Sequence, residues 1–105
     1  MKTYLLTFLL PLLILFVTAC GGGDTDVVES GTYTGTVDNV VPAETEIYVE
    51  TDAGQRLELY FTDTTELTLG GQPVPFDSLQ EGQQVEVTVE QVGQRLDPIS
   101  VAILN

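Results

Sequence analysis

Few side chains in this sequence could do chemistry. Cys20, in the run Val17-Thr18-Ala19-Cys20-Gly21-Gly22-Gly23, is the only cysteine, and histidine is absent. A lone thiol has no disulfide partner, and without histidine it has no neighbouring base to activate it, but its sulfur remains a nucleophile to which a group can be attached. Ser30, Ser78 and Ser100 likewise lack a histidine, and the one lysine, Lys2, lies in the leading apolar segment, so nucleophilic serine catalysis is not expected. Two carboxylates can cleave a glycosidic bond, yet a domain this small leaves little room for a deep cleft. The chain is therefore not expected to be an enzyme. Asp24-x-Asp26 lacks the glycine and terminal glutamate of a calcium loop, and Asp63-Thr64-Thr65-Glu66 reads as a polar turn, so no metal and no cofactor is expected. What remains is Tyr48 and Tyr60, set among Glu46, Glu50 and Glu58, where an aromatic ring can stack on an extended ligand.

Charge narrows the ligand. The 105 residues hold sixteen acidic and three basic side chains, a net charge of −13. Every acid lies between Asp24 and Asp97, while Lys2 sits in the first twenty residues. Without that segment only Arg56 and Arg95 face the sixteen acids, a net −14. Affinity for nucleic acid comes largely from basic side chains that release counterions from phosphates, so nucleic acid is excluded. Glycans and basic peptides are not.

The N-terminal segment begins Met1-Lys2, continues as an apolar run from Leu5 to Ala19 and ends in small residues before Cys20, the layout of a secretory signal. At fifteen residues interrupted by Pro11, the run is short of the ~20 needed to span a bilayer as a helix. Val17-Thr18-Ala19-Cys20 resembles the lipobox of bacterial lipoproteins. The resemblance implies cleavage between Ala19 and Cys20, with diacylglycerol on the Cys20 sulfur as the membrane anchor. Two acyl chains suffice for stable anchoring where one does not. The residue after the cysteine is Gly21, not the aspartate that retains such proteins in the inner membrane, so the resemblance implies an envelope protein on the outer membrane, facing the periplasm, if the cell is Gram-negative. The expected organisation is a signal peptide over 1–19, a lipidated Cys20 and flexible tether over 20–30, and a folded domain over 31–105.

The elements that must position the tyrosines alternate with period two. Thr32–Val41, Thr45–Thr51, Arg56–Phe61 and Gln83–Val92 each set apolar side chains against polar ones, as half-buried strands do. The loop Asp52-Ala53-Gly54 predicts a three-residue hairpin with Gly54 left-handed. That register sets Val49 against Leu57 and Ile47 against Leu59 on the buried face, and Glu50 against Arg56 on the wet face, with Tyr48 and Tyr60 outward. Thr64–Leu69 is a further short strand, Asp77-Ser78-Leu79-Gln80 a capped turn of helix, and Ile99, Val101 and Ile103 the last inward set, with a bulge or late start at Pro98.

Five or six strands with one helical turn between them predict an all-β, OB-like Greek-key barrel, with a small β-sandwich as the alternative. Gly35-x-Val37, Phe76-x-x-Leu79-x-x-Gly82-x-x-Val85-x-Val87 and Val101-Ala102-Ile103 resemble a family of bacterial secreted or lipid-anchored OB-like domains. The resemblance implies a fold and no activity. Two functions from different classes follow: a binding module whose Tyr48 and Tyr60 face holds an envelope glycan or basic peptide, or an assembly component that joins another envelope protein through a strand edge.

Overall fold

The computed structural model describes residues 24–105. The signal segment, the cleavage position at Ala19 and the anchor at Cys20 lie outside the described residues. Those that are described form an all-β domain of seven strands: β1 (Gly31–Val41), β2 (Glu46–Thr51), β3 (Arg56–Tyr60), β4 (Glu66–Leu69), β5 (Gln72–Pro73), β6 (Gln84–Val92) and β7 (Arg95–Ile103). They make one sheet in the order β3-β2-β1-β6-β7-β4-β5. The sheet curls until β3 packs near β7, but no ladder joins those two strands, so the barrel stays open along one seam.

The barrel turns its sharpest corner at β1. Gly35 is paired with Thr51 on β2 and Val85 on β6, and a Cβ on Gly35 would press on the Glu50 carbonyl group, 2.9 Å from its carbon. Only glycine lets the two backbones approach so closely. Two residues further on, β1 carries a bulge between Val37 and Asn39, which adds twist.

The hairpin register is as the sequence predicts: Ile47 faces Leu59, Val49 faces Leu57 and Glu50 faces Arg56. Gly54 has φ +87, and Thr51 closes the loop by donating its N–H to the Gln55 carbonyl at 2.7 Å. Ile47, Val49, Leu57 and Leu59 have no exposed surface, and Val85, Val87 and Val101 meet them from β6 and β7.

Several expectations need correction. The strand count is seven because Gly70-Gly71 turns the chain into a two-residue β5. Pro73 confines that piece to the sheet edge. The helical turn is a 3₁₀ turn at Phe76–Ser78 whose N-cap is Pro75, with no side-chain cap, so Asp77 lies inside the turn. A second such turn, Pro42–Glu44, leads into β2. On β7 the bulge falls at Ile99, since Thr88 pairs with Ser100 and Val89 with Pro98. The extra residue flips the alternation: Ile99 is 50% exposed, and Leu96 is buried in its place.

The expected tether also ends sooner. Val28 is part of the core. Asp26 donates its N–H to the Arg56 carbonyl at 2.7 Å and accepts the Arg56 N–H on Oδ2 at 2.9 Å, while Ser30 Oγ accepts the Gln91 N–H at 2.8 Å. Residues 26–30 are thus laid against the barrel. Gly35→Ala is expected to destabilise the domain by ~1–3 kcal/mol, the cost of overpacking, read as a fall in the urea midpoint at unchanged slope.

Candidate functional site

The hairpin contains the motif Glu-x-Tyr twice, as Glu46-Ile47-Tyr48 and Glu58-Leu59-Tyr60. Antiparallel pairing sets Glu46 opposite Tyr60 and Tyr48 opposite Glu58, which makes a checkerboard on the outer face and brings the two carboxyls together on its diagonal. The expected placement of Tyr48 and Tyr60 outward on neighbouring strands is therefore present. Tyr60 is 47% exposed, and Tyr48 is half-buried.

Both tyrosine hydroxyls donate to the same atom. Tyr48 Oη and Tyr60 Oη each lie 3.1 Å from Glu58 Oε2, so one carboxylate locks both rings. Burial and the bond to Glu58 push the Tyr48 hydroxyl up to about 12. The Tyr60 hydroxyl is raised as well, through its contacts with Glu46 and Glu58.

Strand alternation predicts Glu46 on the wet face beside Tyr48 and Glu50, and here the structure differs. It is only 4% exposed, and its Oε2 is buried without a hydrogen-bond partner. Glu46 does lie on the outer face, but the tyrosines of the checkerboard cover it. Burial raises the Glu46 carboxyl above the usual range, and the adjacent Glu58 raises it further. Glu58 moves the other way, lowered first by its hydrogen bond with Glu46 and then by the two tyrosines. The arrangement is one proton on Glu46 facing an ionised Glu58, since two like charges in contact are not both held.

Arg56 faces Glu50 across the ladder, but its side chain makes its ion pair elsewhere. Its Nε binds Asp38 Oδ2 at 3.0 Å, reaching across β2 to the bulged residue of β1, and its guanidinium sits over the Tyr48 ring at 4.2 Å from the centroid. That face of Tyr48 is occupied from within the chain, which leaves Tyr60 as the open aromatic surface.

Two hollows flank the hairpin. One, of about 340 Å³, lies along the open seam between β3 and the first half of β7, lined by Glu58 and Tyr60 of β3, Arg95 and Asp97 of β7, and Asp26 of the N-terminal segment. The second, of about 690 Å³, is lined by Phe61, Leu67, Val74 and Phe76, where Phe61 and Phe76 meet edge to face at 5.1 Å. Sequence reasoning missed both. The segment Asp63–Glu66 is a hydrogen-bonded turn as expected: Thr65 Oγ1 accepts from the Thr62 N–H at 2.9 Å and donates to the Pro98 carbonyl at 2.9 Å.

The curled sheet with a turn before β6 is an OB-type barrel, and comparison with solved structures agrees. CusF from Escherichia coli is similar in fold: a Cu(II) complex of a CusF variant superposes with a TM-score of 0.59 at 13% identity, covering 73% of this chain and 94% of that one. The Ag(I) complex gives 0.58 at 14% identity over 73% and 94%, and apo-CusF 0.56 at 12% over 85% and 100%. No family model and no curated protein sequence matches this chain.

The Glu46 proton has a thermodynamic signature. Its folded-state affinity for the proton exceeds that of the unfolded chain, so the native state holds more protons above the ordinary glutamate value and stability falls as pH rises through that window. Glu46→Gln removes this contribution. Urea unfolding across mildly acidic to neutral pH should show a smaller fall in stability for Glu46→Gln than for the wild type.

Proposed function

We propose that this chain is a lipid-anchored envelope protein whose acidic barrel is a binding module, with the Tyr48–Tyr60 face as its ligand surface and a basic peptide or a glycan as its ligand. The carrying observation is that Glu58 Oε2 fixes both tyrosine hydroxyls while the Tyr60 ring remains 47% exposed. A ring held in one orientation loses little freedom when a ligand stacks on it.

The metals in the CusF structures are no guide to the ligand here. Soft Ag(I) favours sulfur donors and copper is well served by imidazole, and residues 24–105 contain no histidine, cysteine or methionine. Assembly through a strand edge is the weaker reading, because both edges are guarded. Asp26 occupies the edge of β3 at Arg56, and β5 is two residues long with Pro73 in it.

The binding reading is tested by titrating the domain with a tetra-arginine peptide and, separately, with an uncharged N-acetylglucosamine oligomer. Tyr60→Ala should weaken whichever of them binds by ~1–3 kcal/mol while leaving thermal unfolding near that of the wild type. Unchanged affinity would remove Tyr60 from the site.

The anchor is tested separately. Mass spectrometry of the protein from membranes should find residues 1–19 gone and diacylglycerol on Cys20, and Cys20→Ser should release the domain from the membrane fraction. A product that keeps Met1 and a free thiol refutes the anchor.

A further inference from the structure

We propose that the seam hollow beside Tyr60 receives a guanidinium or ammonium group of the ligand, whose charge is balanced by the Glu58–Glu46 carboxyl pair. This inference rests on the binding reading above and makes it specific to cations.

Three observations carry it. First, the buried Oε2 of Glu46 has no donor, because both nearby hydroxyls are already directed at Glu58. A buried carboxyl in that position is tolerable when protonated or when a cation lies close by, and not as a bare charge. Second, the hollow of about 340 Å³ is lined by Glu58, Tyr60, Asp97 and Asp26, and it reaches the buried Glu46 through that residue's hydrogen-bonded neighbour Glu58. Its one cation, Arg95, is already bound by Asp97 through contacts of 2.8 and 3.3 Å. Three carboxylates against one engaged arginine favour a positive guest and repel an anion.

Third, the same face already holds a guanidinium. Arg56 lies 4.2 Å above the Tyr48 ring with the Asp38 carboxylate 3.0 Å from its Nε. Tyr60 with Glu58 repeats that pairing of ring and carboxylate two residues along the ladder, with the Tyr60 ring exposed and without a cation over it.

The charged and titratable groups around the carboxyl pair come from each neighbouring element. β2 contributes Tyr48 and Glu50, and β3 contributes Arg56 and Tyr60. Asp38 of β1 is engaged by Arg56, β7 contributes Arg95 and Asp97, and the N-terminal segment contributes Asp26. None of these is a histidine, so between the carboxylate and phenol ranges the pair is the group expected to exchange a proton. On binding, the Glu46 carboxylic acid becomes carboxylate, its proton passes to solvent, and the incoming cation balances the new charge. Affinity then rises with pH by up to ~10-fold per unit while Glu46 still holds its proton.

The test is calorimetry with the tetra-arginine peptide in two buffers of different ionisation enthalpy, in mildly acidic solution, together with an NMR titration of the Glu46 carboxyl carbon in the free domain. The wild type should release a fraction of a proton approaching one. Glu46→Gln should lose that release and the pH dependence. Asp97→Asn, on β7, should weaken binding several-fold with the release intact. Binding without proton release, release that persists in Glu46→Gln, or a Glu46 carboxyl that titrates at the ordinary glutamate value each overturns the proposal. Should Glu46→Gln fail to fold, the wild-type buffer dependence and the NMR titration decide. If only the uncharged oligomer binds, and through Tyr60, this proposal falls and the binding face stands; if neither probe binds, both fall.

Discussion

The register of one hairpin governs both the core and the candidate site. Strand alternation has a period of two, so a slip of one residue between β2 and β3 would turn either Ile47 and Val49 or Leu57 and Leu59 out of the barrel and drive the acid and tyrosine side chains of that strand into it. Those four apolar side chains are fully buried, and no nearby register could rescue them. Gly54 at φ +87 and the Thr51 bonds to Gln55 fix the loop length that selects this register. The same choice places Glu46 opposite Tyr60 and Tyr48 opposite Glu58. The site is the outer side of the constraint that builds the core.

That coupling explains how the domain holds a costly group. A carboxyl with a buried, unpartnered oxygen opposes folding, and on a less rigid hairpin the Glu46 side chain would swing into water. Here Thr45 sits just before it in a left-handed conformation, φ 44, a strained state for a non-glycine residue. It is tied on both sides, donating its N–H to the Pro42 carbonyl at 3.1 Å and accepting the Phe61 N–H at 2.8 Å. The entry to β2 is thereby clamped. The rings of the checkerboard then close over the carboxyl.

Much of the fold was legible because its signals are local. Alternation marked β1, β2, β3 and β6, and one glycine set the hairpin. The departures arise where a local rule met a tertiary contact. The bulge at Ile99 turned that residue outward while Val101 and Ile103 stayed buried as expected, because Pro98 cannot donate to a ladder, and a pattern of alternating residues does not say where an extra one is absorbed. The 3₁₀ turn begins at Pro75 and not at an Asp77 cap because Phe76 packs against Phe61. Arg56 turned from Glu50 to Asp38 because the β1 bulge brings that acid within reach across an intervening strand, a distance no hairpin register encodes. The two tyrosines were readable from the same register. The burial of Glu46 was readable in principle, since Glu-x-Tyr on both strands forces each glutamate against a ring, but strand alternation labels that whole face wet and hides the one position the rings cover.

The N-terminal segment adds a geometric consequence. Asp26 bonds to Arg56 on the free edge of β3 and also borders the seam hollow, so the chain enters the domain beside the candidate site. Between Cys20 and Asp26 lie only Gly21, Gly22, Gly23, Asp24 and Thr25, a span of at most ~21 Å when extended. With Cys20 lipidated as proposed, the hollow would be held within roughly two Debye lengths of the headgroups, and the sixteen acids of the domain would keep it from lying flat on an anionic surface. A cationic segment approaching along such a membrane would meet the acidic seam before the rest of the barrel. If Cys20 carries the proposed anchor, the five residues that separate it from Asp26 would present the Asp26-covered edge of β3 and the seam hollow beside it toward the lipid.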